Sequence, residues 1–238
     1  MYFEYLNSLI ISADDFGVSK KANETILELA RQKKINRLSI MIGGKISQKE
    51  AEELLKLGIK LDIHLHLLSA DFFITREKEA SKNVFWRMVF FIKNIVIGKY
   101  SSKKVQAIWK KQIEEFYALF GKYPDGINSH EHLHFFPTFF KAALNLKKEF
   151  KISYLRFGKK RYKLKFIPVA FILDFLRGLD LKIYSNKFKT SNYVVSFDWI
   201  EKPTEFFKNL SKNKKNEKIE LIFHPERNEE YKFLRENF

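Results

Sequence analysis

The stretch LIISADDFGVSKKAN, residues 9–23, runs from an apolar segment straight into two adjacent aspartates, a glycine and the start of a helical pattern. The apolar part, SLIISA at 8–13, reads as a buried strand. Two carboxylates at its end repel one another unless a cation lies beside them, or unless they merely cap the turn that follows. These residues alone leave both readings open. The choice falls to the rest of the chain.

Working outward, short strand patterns alternate with helical ones. ANETILELARQKK (22–34) has helical spacing, RLSIMIGG (37–44) reads as a strand, and SQKEAEELLKLG (47–58) as a helix ending near Gly58. KLDIHLHLL (60–68) alternates strictly, and a long helix over 102–122 precedes DGINSHEHLHFFP (125–137). Later strands are expected at 152–158, 192–198 and 217–226. Strands separated by helices pair in parallel beneath a helical cover. The expected fold is therefore α/β, an irregular TIM-barrel-like (β/α) barrel of about seven strands. It is expected as a single domain over 1–238, with insertions near 70–100 and 159–190. A doubly wound open sheet is the competitor.

Composition narrows the function classes. The 238 residues are 45% hydrophobic and 30% charged, which suits a globular chain with a sizeable core. With no cysteine, disulfides, cysteine nucleophiles and thiolate metal sites are excluded. The start MYFEYLNSLI has no basic region ahead of its apolar residues and reads as a first strand, not a signal peptide, so a cytoplasmic location is expected. The net charge of +16 is spread along the chain, with concentrations at 159–165 and 208–218. It marks either a solvated basic face or an anion-binding surface. No nucleic-acid module accompanies it, so nucleic acid is not the expected partner. Two apolar stretches, 84–98 and 166–178, are broken by Arg87, Lys93 and Asp174. Both fall short of the ~20 apolar residues of a bilayer span. They suit a lid, a homodimer contact or a peripheral patch on an anionic membrane or glycolipid.

In barrels of this kind chemistry gathers where strands end. All six histidines lie in three windows that close expected strands: His64 and His66; His130, His132 and His134; and His224. Alternation places Asp62, His64 and His66 on one strand face, and Asn128, His130, His132 and His134 together if that segment is extended. Two histidines with one carboxylate would hold a divalent metal and leave positions for water and substrate. Taken singly, the aspartates could be caps and His66, His132 and His134 structural. Joint occurrence favours a metal site.

SADDFGVS, DIHLHL, GKYPDGINSHEHLHFFP and FHPE follow in an order that resembles the YdjC-like carbohydrate deacetylases, a group that includes chitooligosaccharide deacetylases. The likeness spans residues 9 to about 226. It implies an irregular β/α barrel that uses one divalent ion, magnesium or zinc, to remove acetyl groups from N-acetylated sugars. By matched positions, Asp15, His64 and His130 would hold the ion, Asp14 would be the general base and His224 the general acid. Arg156 would stand beside the catalytic carboxylate. The chain departs from the pattern at Asp62, where the family has glycine, at Asn128, where it has aspartate, and at Leu68, where it has threonine. The first two changes could retune the site or add a ligand. Two rival functions remain: a metal-dependent phosphoesterase on a similar barrel, and a non-catalytic module binding anionic lipid or nucleic acid.

Overall fold

The computed structural model describes residues 9–67, 100–160, 168–184, 188–210 and 217–238. The chain begins with strand β1 (Leu9–Phe16), helix α1 (Lys20–Arg31), β2 (Arg37–Ile40), α2 (Gln48–Leu57) and β3 (Lys60–Leu65). Next come α3 (Ser102–Phe120), β4 (Gly126–Ser129), a 3-10 segment (His130–Phe135) and α4 (Pro137–Glu149). The last part holds β5 (Tyr154–Leu155), β6 (Lys159–Lys160), α5 (Pro168–Tyr184), β7 (Tyr193–Ser196), α6 (Pro203–Leu210), β8 (Ile219–Phe223) and α7 (Asn228–Asn237).

The expected helix boundaries rest on local chemistry. Ser19 opens α1 by accepting the Ala22 N–H, and Ser47 with Glu50 forms a reciprocal capping box on α2. Gly58 closes α2 in the left-handed conformation. The expected stretch 84–98 lies outside the described residues, as does most of the insertion near 70–100 and Leu68.

The eight strands among the described residues form one sheet in the order β5-β4-β3-β2-β1-β8-β7-β6, every neighbouring pair parallel. About seven strands were expected. The eighth arises because the expected strand 152–158 does not stay on one neighbour. Tyr154 and Leu155 pair with β4, and then the chain crosses so that Lys159 and Lys160 pair with β7. Closure by pairing between β5 and β6 is not present among the described residues, so the architecture is a curled half-barrel sheet and not a demonstrated TIM barrel.

The curl is visible in side-chain reach. β5 is four places from β1 in the sheet, roughly 19 Å if the sheet were flat. Yet Arg156, the residue after β5, bonds Asp14 and Ser12 on β1 and Glu220 on β8. Helices cover the outside through Trp109 and Phe116 on α3 and Phe139 and Phe140 on α4, all fully buried.

The β1–α1 turn holds the two aspartates to β2. Gly17 has φ +99°, and a Cβ there would lie 2.5 Å from the Met41 carbonyl oxygen and 2.9 Å from Ile46 Cδ1. Gly17→Ala is therefore expected to destabilise the fold by roughly 2 kcal/mol or more, read as a lower urea midpoint with an unchanged slope.

Candidate metal centre

Strand register brings the candidate residues to one level. Ala13 pairs with Phe223, so Asp14 and His224, each the next residue, sit side by side at the ends of β1 and β8. His64 on β3 pairs directly with Asn128 on β4, and His130 begins the 3-10 segment after β4. β1 carries a bulge between Ala13 and Phe16, and Asp15 inside it has φ +73°. A bulge re-aims a side chain that regular pleating would send to the other face. Here both adjacent aspartates face the same site.

Asp15, His64 and His130 form the one group among the described residues with donor atoms placed for a metal ion, all within 4.8 Å of each other. Asp15 Oδ1 lies 3.4 Å from His64 Nε2 and 3.3 Å from His130 Nδ1. The donor set passes a further test. The Asn128 side-chain oxygen meets His64 Nδ1, so the proton resides there and the Nε2 lone pair points at the cluster. Asn128 is oriented in turn, because its amide donates to Ser39 Oγ at 2.9 Å. An imidazole fixed from behind with its other nitrogen bare is what a metal ligand needs. Burial works against charge on Asp15, but His130, whose Nδ1 lies beside its carboxylate, holds the carboxyl well below the usual range.

Asp14 has different partners. Arg156 grips it with two donors, Nη1 to Oδ2 at 2.6 Å and Nη2 to Oδ1 at 2.9 Å. Nη2 also donates to Ser12 and Ser39, and Nε donates to Glu220 at 2.7 Å. Glu220 accepts a further bond from the Tyr154 hydroxyl at 2.6 Å. Burial raises the Asp14 carboxyl, yet Arg156 outweighs it and keeps it well below the ordinary carboxylate value. Asp14 is thus ionised and pinned. His224 meets the Glu230 carboxylate, 3.7 Å from its Nδ1, while its backbone N–H donates to the same oxygen at 2.6 Å. Burial would lower this imidazole, but Glu230 and the nearby Asp15 raise it to about 9.

The other histidines go elsewhere. His66 Nε2 donates to the Ile42 carbonyl at 2.8 Å, and burial pulls its imidazole down to about 4. His134 Nε2 donates to the Arg156 carbonyl at 2.6 Å, and Ser129 Oγ bonds its Nδ1. It fastens the segment that carries His130 to the segment that carries Arg156. His132 packs edge-on to Phe135 and against Trp199. The expected extended alternation over 128–134 is not what forms. Glu131 and His132 both adopt left-handed backbone, with φ 54° and 56°, so the three histidines leave the strand in different directions. Asp62 adds no ligand. It is buried against Arg37, whose Nη1 lies 2.5 Å away. Gly126 on the next strand makes room, since a Cβ there would lie 2.6 Å from Asp62 Oδ1.

Sequence reasoning missed Glu220, Tyr154, Ser12, Ser39 and Glu230. The one signal was a glutamate within the otherwise apolar IELIF of β8, which implies a buried cationic partner.

The family described as YdjC-like protein matches residues 8–236. A carbohydrate deacetylase of Clostridium beijerinckii is 25% identical over 224 residues, 91% of this chain and 80% of that protein. A chitooligosaccharide deacetylase of Enterobacter sp. (strain 638) is 31% identical over 138 residues, 56% of this chain and 52% of its own length. A carbohydrate deacetylase of Danio rerio is 26% identical over 154 residues, 62% of this chain. The match spans about half of the Danio rerio protein, 49%. A solved structure of an Enterococcus faecalis protein assigned to cellobiose-phosphate cleavage superposes with TM-score 0.60 at 18% identity, covering 91% of this chain and 80% of that one. At that identity the likeness speaks for the fold alone.

Asn128→Ala leaves His64 free to rotate and to move its proton. Titration calorimetry with zinc or manganese is expected to show about tenfold or more weaker binding. Asn128→Asp, which accepts the same bond, should keep the affinity.

Proposed function

The chain belongs to the YdjC-like protein family, and on that premise we propose that it is a divalent-metal-dependent hydrolase. Its substrate is an N-acetylated sugar, an N-acetylglucosamine-type oligosaccharide or glycolipid, cleaved to acetate and a free amino sugar. The observation that carries this reading is the convergence of Asp15, His64 and His130 beside a second, separately held carboxylate, Asp14. A pair of adjacent aspartates with divided partners suits one ligand and one base. The names of the relatives from Clostridium beijerinckii and Enterobacter support the same activity.

Asp15, His64 and His130 would hold the ion, and two imidazoles among three donors favour zinc over magnesium, which prefers oxygen. A divalent cation there would polarise the acetyl carbonyl and acidify a water molecule, which suits a base as weak as Asp14. Arg156 keeps Asp14 ionised and aligned, and Asp14 receives the proton that the water loses as it attacks the carbonyl carbon. The C–N bond then breaks. His224, kept protonated by Glu230, gives its proton to the departing amine. The whole chain acts as one domain in this reading. The phosphoesterase alternative is disfavoured because β1 ends in Asp-Asp where such sites carry an HxH pair.

Acetate release from N-acetylated chitooligosaccharides with added zinc, manganese or magnesium tests the proposal directly. Phosphate release from an aryl phosphate without acetate release would overturn it. Asp15→Ala is expected to abolish metal binding and turnover together. Asp14→Asn should keep the metal and lose most turnover, on the order of a hundredfold or more. Activity should fall on the alkaline side as His224 loses its proton. Glu230→Gln should move that limb to lower pH by about one unit, because the carboxylate that favours the imidazolium is gone.

A further inference from the structure

Helix α5 is apolar on both of its sides, inward and outward. At helical spacing Phe171, Phe175 and Lys182, with Ile183 beside them, line its outward side, while Ala170, Leu173 and Asp180 line its inward one. Phe175 is 68% exposed, Ile183 59% and Phe171 49%. Asp180 is fully buried, and neither of its carboxylate oxygens has a hydrogen-bond partner among the described residues. Burial pushes that carboxyl up to about 8, so it is largely neutral at physiological pH. A helix packed on a sheet normally turns its apolar stripe inward and its charges outward. Here phenylalanines face out and a carboxyl faces in. An apolar ridge of a few hundred Å² of this kind marks a surface that something covers.

Charge selects the occupant. The outward side carries Lys182, and Asp174 on the same helix is half-buried and accepts the Lys160 backbone N–H at 2.8 Å. The chain as a whole carries +16. A second copy would bring two such charges together across a patch well short of the ~800 Å² that each partner of a stable dimer buries. An anionic lipid surface attracts that charge and accepts the phenylalanines at once. The helix has 17 residues, about 25 Å lying flat, which is the scale of an interfacial helix. Among the described residues no helix is long and apolar enough to cross a membrane.

We propose that the outward side of α5 docks on an anionic membrane surface through Phe171, Phe175 and Ile183, with the chain's lysines supplying the attraction. α5 follows β6 in a parallel sheet, so its first turns belong to the end of the sheet where the candidate site residues sit. The inference does not depend on the deacetylase reading.

The test is co-sedimentation of the full chain with phosphatidylcholine vesicles and with vesicles containing about one-third phosphatidylglycerol, at low ionic strength. Wild type is expected to sediment with the anionic vesicles only. Phe175→Glu/Ile183→Glu places charge at two exposed positions that the fold does not use, and circular dichroism checks that it folds. It is expected to bind about tenfold or more weakly. Wild type staying in the supernatant with anionic vesicles would overturn the proposal. So would the variant binding as tightly as wild type, which would assign the attraction to lysines elsewhere. A concentration-dependent dimer in sedimentation velocity that the variant loses would give the face to a second copy instead.

Discussion

One buried guanidinium holds this site together. Arg156 has no exposed surface and reaches Asp14, Ser12, Ser39 and Glu220, tying residues from β1, β2 and β8 to the end of β5. Burying a charge of either sign costs several kcal/mol unless it is paired and its hydrogen bonds are met. Glu220 and Asp14 bring two negative charges to one positive one, and the Tyr154 hydroxyl and the serines satisfy much of what remains. Arg37 with Asp62 extends the network one strand further, and Arg37 lies 4.1 Å from the centre of the Tyr154 ring. Loss of Arg156 leaves Asp14 and Glu220 buried without their shared cation, so the network enforces the curl of the sheet as much as it stabilises it.

The site is built on backbone that the rest of the structure must hold in place. Asp15, Glu131 and His132 all have positive φ, a conformation that costs a non-glycine residue free energy. The two sets are fixed by different means. Around Asp15, Met41 donates to the Phe16 carbonyl and Lys45 to the Gly17 carbonyl. Around Glu131 and His132, Ser129 and Arg156 hold His134 from both sides. This preorganisation places two imidazoles at one carboxylate oxygen.

The departures from the family pattern acquire physical meanings. Asn128 supplies, as a neutral acceptor, the bond that orients His64, so the loss of a carboxylate leaves the geometry intact. A neutral partner makes the imidazole a weaker donor to a cation than an aspartate would. Asp62 is spent on Arg37 and lies apart from the cluster of Asp15, His64 and His130.

The sequence alone determined the α/β alternation, because hydrophobic period and capping residues are local properties. It also marked candidate residues at successive strand ends, because chemically capable side chains there are visible in one dimension. Residue type and spacing, without the family resemblance, could not separate Asp14 from Asp15, since their partners come from β3, the segment after β4 and the residue after β5, far apart in the chain. Likewise INSHEHLH has the alternation of a strand, but left-handed turns at Glu131 and His132 decide its path, and those follow from contacts to Ser129 and Arg156. The eighth strand has the same origin: only when the sheet curls does the stretch after Arg156 find β7 as its neighbour. Local chemistry wrote the ingredients, and long-range packing chose which atoms face one another.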